Sequence, residues 1–140
     1  MNKQINIGIH TIIKNKKGEV LLCKRNKKFG YDEWELPGGH LELLETFEQN
    51  IKKESMEELG IEVTVGDLVS VAPNMKYGNH YIIFTFLISS YEGEPLKKAP
   101  EEHSEIKWFD VNKLPKKLFI STKNALDNYL SGDIYKVKSS

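Results

Sequence analysis

The sequence predicts a mixed α/β fold in which a central mixed β-sheet lies between helices. Two observations carry this expectation. The order of segments is strands, one helix, more strands, then a second helix, and the strand-like runs alternate and are rich in β-branched residues. Neither an internal repeat nor a linker divides the chain, so residues 1–140 read as one domain, long enough to bury a substantial core.

Taken in order, Ile5 to Ile13 alternates and predicts a strand. The polar turn Lys14-Asn15-Lys16-Lys17-Gly18 leads into a second strand, Glu19 to Lys24, so the pair is expected to form a hairpin. Arg25 to Asp32 is a polar loop carrying Phe29 and Tyr31, and Trp34 to Leu36 is a short extended piece. Leu36-Pro37-Gly38-Gly39 then reads as a glycine turn, since proline and paired glycines stop a strand and permit positive φ. Thr46 and Phe47 open a segment free of Gly and Pro until Gly60, a C-terminal stop. Within it Phe47, Ile51, Ser55 and Leu59 recur every four residues, which gives a helix with one mostly apolar stripe.

Beyond the helix, Glu62 to Val71 alternates as a strand, and Ala72 to Asn79 is a loop. His80 to Ser89 is the most β-like run in the chain. Tyr91 to Ser104 is broken by Gly93, Pro95 and Pro100 and reads as a long loop before a last strand, Ile106 to Phe109. An amphipathic helix from Ser121 to Leu130 ends at Gly132, and the basic tail after Ile134 is expected to fray.

Composition narrows the function classes. Hydrophobic residues at 39% and charged residues at 29% suit an ordinary globular protein, and a formal net charge of zero provides no long-range field to recruit nucleic acid or an anionic membrane. The one cysteine, Cys23, excludes an internal disulfide, fits a reducing cytoplasm, and sits in an apolar run as a buried structural thiol would. No stretch approaches a membrane span and the N-terminus lacks a signal-peptide layout, so the cytoplasm is the expected address. Nothing in the sequence fixes the oligomeric state, and a homodimer stays open.

The carboxylates of the first helix are the informative cluster. At about 100° per residue, Glu54 and Glu58 fall within roughly 20° of Phe47, with Glu57 beside Glu54. They border the packing stripe instead of lying opposite it. Like charges at i, i+3 and i+4 repel, and partial enclosure raises their cost unless a counter-charge is present. A hard divalent cation, Mg²⁺ or Mn²⁺, is one solution. An acidic surface helix neutralised by Lys52 and Lys53 is the other, and spacing alone leaves both standing.

From Gly39 onward the stretch resembles the signature of the Nudix hydrolase superfamily, G-x5-E-x7-R-E-U-x-E-E-x-G-U with U a bulky aliphatic. Gly39, Glu45, Glu54, Glu57, Glu58, Gly60 and Ile61 fall in register, while Lys53 stands at the arginine and Ser55 at an aliphatic position. Leu44 precedes Glu45 where relatives often carry glycine. The flanks Trp34-Glu35-Leu36-Pro37-Gly38-Gly39, Glu92-Gly93-Glu94-Pro95 and Trp108-Phe109 are similar to MutT-like members. The resemblance implies a Nudix-type α/β/α sandwich.

It also implies magnesium-dependent attack of water on phosphorus in a nucleoside diphosphate joined to a group X. Glu54, Glu57 and Glu58 would be the metal-binding acids, with the Gly39 carbonyl as a further ligand and Glu45 supporting the loop or holding a more distant ligand place. Gly38 and Gly60 would be structural parts of the motif. An added loop acid is expected at Glu102, with Glu101 and Glu105 as competitors. The base would be Glu54 or Glu57, and Lys53 would orient neighbouring carboxylates without arginine's planar fork. Phe29, Tyr31, Tyr77 and Phe119 sit in or beside loops, where they would either stack on a base or pack; His40 lies near the expected phosphates. The leading expectation is a nucleoside triphosphate cleaved to the monophosphate and pyrophosphate. Dinucleoside polyphosphates, sugar nucleotides or ADP-ribose, and a nucleotide-binding module without turnover are the alternatives.

Overall fold

The computed structural model describes residues 4–135. The elements are β1 (Ile5–Ile12), β2 (Val20–Arg25), β3 (Trp34–Glu35), β4 (Gly38–His40), α1 (Phe47–Leu59), β5 (Glu62–Asn74), β6 (His80–Glu92), β7 (His103–Phe109) and α2 (Ile120–Ser131). They form a four-stranded sheet in the order β4-β1-β6-β5 and a three-stranded sheet in the order β3-β2-β7. The first is mixed: β1 runs parallel to β6 and antiparallel to β4.

Two apolar clusters explain the layering. Ile9, Ile13 and Leu21 pack with Ile51 and Leu59 of α1, whereas Ile12, Val20, Leu22 and Leu36 pack with Ala125 and Leu126 of α2. Neighbouring residues of β1 and β2 thus serve different helices, as the two-residue period of a strand requires.

The expected hairpin of the first two strands is corrected. Lys14 bridges Val20 and the Leu21 N–H donates to the Ile13 carbonyl, but β1 and β2 then diverge into different sheets. The expected loop from Ala72 is shortened too, because β5 continues to Asn74 with Pro73 opposite Ile82. β5 is an edge strand, where proline's missing N–H costs no ladder bond. β6 runs on to Glu92 and β7 begins at His103, which trims the long loop at both ends.

α1 starts and stops where its chemistry says. The Thr46 hydroxyl accepts from the Gln49 N–H while the Gln49 side chain accepts from the Thr46 N–H, a reciprocal capping box. Gly60 closes the helix at φ 69°. At the other end of the chain the Ile134 carbonyl accepts from the Val71 N–H; the expectation of fraying beyond it falls mainly on 136–140, outside the described residues.

Candidate active site

The site is built on β4. Gly38 and Gly39 are an edge strand paired with His10 and Ile9, and neither has a positive φ, so the turn expected at this pair is corrected. Glycine is required here for close approach. A Cβ on Gly38 would overlap the Ile9 carbonyl oxygen, and one on Gly39 would come within 2.6 Å of the Glu54 carboxyl carbon. The left-handed residue of the motif loop is Leu44, at φ 66°. This strained position is where a glycine would sit without cost.

Behind β4, the acids of α1 occupy graded environments. Glu58 is buried, Glu54 is half-buried and Glu57 is exposed. Burial and then the neighbouring Glu54 charge push the Glu58 carboxyl up to about 8. Burial and then Glu57 raise Glu54. The Lys53 ammonium lies 2.7 Å from Glu45 and acts on Glu54 only through its charge, which opposes that rise. Glu45 fastens the loop, accepting also from the Glu42 N–H and the Asn50 amide at 3.0 and 2.9 Å. These hydrogen bonds, that to Lys53 foremost, hold its carboxyl down at about 2.

A cavity of about 10 Å³ lies between α1 and β1, bordered by Glu54, Glu58 and Asn50. That is room for roughly one small guest. The Asn50 Nδ2 donates to the His40 carbonyl and to Glu45, which leaves its buried Oδ1 with no donor. As placed, no three His, Cys, Asp or Glu side chains among the described residues converge to hold a metal ion. The donor set still fits a hard cation: two carboxylates and an orphan amide oxygen, with no nitrogen or sulfur. Mg²⁺ is commonly held by one or two carboxylates, with waters and substrate phosphates completing its shell.

On the other side of β4 lies a cavity of about 240 Å³, and Gly38 walls both. Arg25, Lys27 and Lys28 line it. The first two are anchored by Glu35, a buried carboxylate 2.6 Å from Arg25, 3.0 Å from His103 and 3.7 Å from Lys27. Burial opposes its ionisation, but the His103 hydrogen bond and the two cations overcome this and hold it well below the usual carboxylate range. Lys27 also pairs with Glu102 at 2.9 Å. The Arg25 guanidinium lies over the Phe119 ring, 4.2 Å from its centroid, and Tyr77 stacks on the same ring.

The cavity therefore brings together Phe29, Tyr77, Phe119 and His40 of the expected substrate-binding residues. Tyr31 is not among its lining residues and is 66% exposed. Glu102 reaches the cavity's edge through Lys27, whereas Glu101 and Glu105 are exposed. Sequence reasoning missed Lys27, Lys28, Glu35, Asn74 and His10. The one available signal was Arg25, the sole arginine of a lysine-rich chain.

Comparison with known proteins agrees with this architecture. A NUDIX domain model matches residues 5–129. An oxidized purine nucleoside triphosphate hydrolase of Danio rerio is 33% identical over 103 residues, covering 70% of this chain and 62% of that protein. An ADP-ribose pyrophosphatase of Methanocaldococcus jannaschii is 34% identical over 106 residues, covering 74% and 62%. The match thus spans less than two thirds of either curated relative. The crystal structure of a MutT NUDIX hydrolase from Burkholderia pseudomallei superposes with a TM-score of 0.84 at 31% identity, covering 90% of this chain and 98% of that one.

Proposed function

This chain belongs to the NUDIX domain family, and from that premise we propose that it hydrolyses a nucleoside triphosphate to the monophosphate and pyrophosphate with Mg²⁺ or Mn²⁺ as cofactor. The observation that carries the reading is the shared wall: Gly38 separates a small cavity bordered by Glu54, Glu58 and Asn50 from a cavity lined by cations and aromatic rings. A nucleotide needs both, one for its phosphates' counter-charge and one for its nucleoside.

Glu54 and Glu58, with the Asn50 Oδ1 and the Gly39 carbonyl, would hold the ion. When bound, the ion supplies charge neutralisation at phosphorus and at the leaving oxygens. Arg25, Lys27 and Lys28 attract and orient the polyphosphate, and Phe119 and Tyr77 offer stacked faces to a base. Glu54, half-buried with a raised proton affinity, or the exposed Glu57 takes the proton of the attacking water. Lys53 acts at one remove, pinning Glu45 and with it the loop that carries Asn50's partner.

A panel of canonical and oxidised nucleoside triphosphates, diadenosine tetraphosphate and ADP-ribose, incubated with Mg²⁺ and read by liquid chromatography, tests the proposal. Release of monophosphate and pyrophosphate is expected; no turnover of any triphosphate overturns it. The names of the two curated relatives favour different members of that panel, a purine triphosphate and ADP-ribose. Glu54→Gln and Glu57→Gln then separate an enzyme from a binding module. An enzyme loses most of its rate in at least one of them with the fold kept, whereas a binding module shows ligand-induced stabilisation and no rate to lose.

A further inference from the structure

His10 is the residue of the large cavity with no structural employment. It is 8% exposed and lines the cavity from β1, yet its Nδ1 is sealed and unpartnered. Thr85 stands in register with it on β6, and its buried hydroxyl is also without a partner. Registered residues of neighbouring strands share a face, so two orphan polar groups sit side by side. Buried polar groups are nearly always satisfied, yet neither of these two atoms is open to the cavity, so only the ring's other nitrogen can meet a guest.

Ring geometry says which atoms are on offer. The Cδ2 edge is turned to Gly38, where a Cβ would come within 2.7 Å of it. The Nδ1 edge is sealed, so the tip, Nε2 and Cε1, is what remains to line the cavity. Burial lowers the ring to about 4, so it is neutral near pH 7 and presents one N–H and one bare nitrogen.

Phosphate is the wrong guest for this ring. The cations that suit it, Arg25, Lys27 and Lys28, come from β2 and the loop that follows, in the other sheet. Around His10 the cavity offers Ile83, Tyr81 and glycine, and of the charged groups that bear on its ring the buried Glu35 carboxylate, which repels phosphate, comes ahead of Lys27 and Arg25. One neutral hydrogen bond from a nearly buried group adds little attraction but discriminates strongly, because a guest that lacks the matching atom leaves the group unpaired. We infer that His10 is a specificity-determining residue, its ring tip hydrogen-bonding the edge of the nucleobase admitted to the cavity. The inference rests on the proposed nucleotide substrate.

The test compares kcat/KM on the best nucleoside triphosphate with that on ribose 5-triphosphate, which has no base. His10→Leu is expected to lower the ratio of the two at least tenfold, mainly through KM. His10→Gln, whose amide reaches the place of Nε2, is expected to keep most of it. A ratio unmoved by His10→Leu overturns the inference. Should the wild type turn over no triphosphate, the proposed reaction falls, and the ¹⁵N shifts of the His10 ring decide separately, as they also do if the leucine variant fails to fold. A shift on adding a nucleoside monophosphate, absent with ribose 5-phosphate, supports the role; equal or no shifts with both overturn it.

Discussion

Glu58 and Glu35 are two buried carboxylates with opposite fates. Glu35 is surrounded by cations and its pKa is depressed, so its stabilisation is present above the ordinary carboxylate range and is lost as pH falls through its native pKa. Glu58 is buried with Glu54 beside it, and its native pKa is raised to about 8. An ionised Glu58 is favoured in the unfolded chain, so the metal-free protein loses stability between roughly pH 4.5 and pH 8 and the penalty is complete above. At about 1.4 kcal/mol per pKa unit the penalty is at most about 5 kcal/mol. Glu58→Gln should therefore stabilise the protein at pH 9 in chelator by about 1–3 kcal/mol and leave it little changed at pH 4. Thermal denaturation across pH measures this, and a wild type equally stable at pH 5 and pH 9 would contradict it.

At the scale of elements, the loop and cap that lead into α1 can be tested separately. Leu44 holds a left-handed backbone at φ 66° while its side chain is 96% exposed, so it has strain and no packing to lose. Leu44→Gly should stabilise the fold by about 0.5–1 kcal/mol, read as a higher urea midpoint at unchanged m-value. Gly39→Ala should behave otherwise. Its methyl meets only the mobile end of the Glu54 side chain, so the variant is expected to fold yet lose at least tenfold in turnover as that carboxyl is displaced. Full activity in Gly39→Ala would show that Glu54's position does not matter. The helix itself was legible in the sequence, because Thr46, the four-residue stripe and Gly60 are local signals. The glycine pair misled, because composition does not distinguish a positive φ from a place where two chains nearly touch. The hairpin misled for a similar reason: the turn was local, but the parting of β1 and β2 is decided by helices distant in sequence.

For the whole molecule, an ion that offsets the acids of α1 should act as a stabiliser in its own right. Mg²⁺ at a hundred times its dissociation constant is expected to add about 2.7 kcal/mol, visible as a raised Tm that chelator reverses. Glu58→Gln should blunt that response, and a wild-type Tm indifferent to both Mg²⁺ and Mn²⁺ would remove the acid cavity from consideration as an ion site. The motif acids could be read from spacing, since one helix carries them all. The cation-lined cavity could not, because Arg25, Glu35 and His103 meet only once β2, β3 and β7 have paired, and Phe119 joins them from the start of α2. Its members lie far apart in sequence, and no period marks them.

β1 walls both cavities and pairs along its length with β6, which begins only at His80. During synthesis, neither chamber can therefore close until β6 has been made. A nascent chain stalled before residue 80 would present the bare flank of β1, apolar and hydrogen-bond hungry, as a template for the wrong partner. Ribosome pausing upstream of that residue should demand more chaperone protection than pausing after β6.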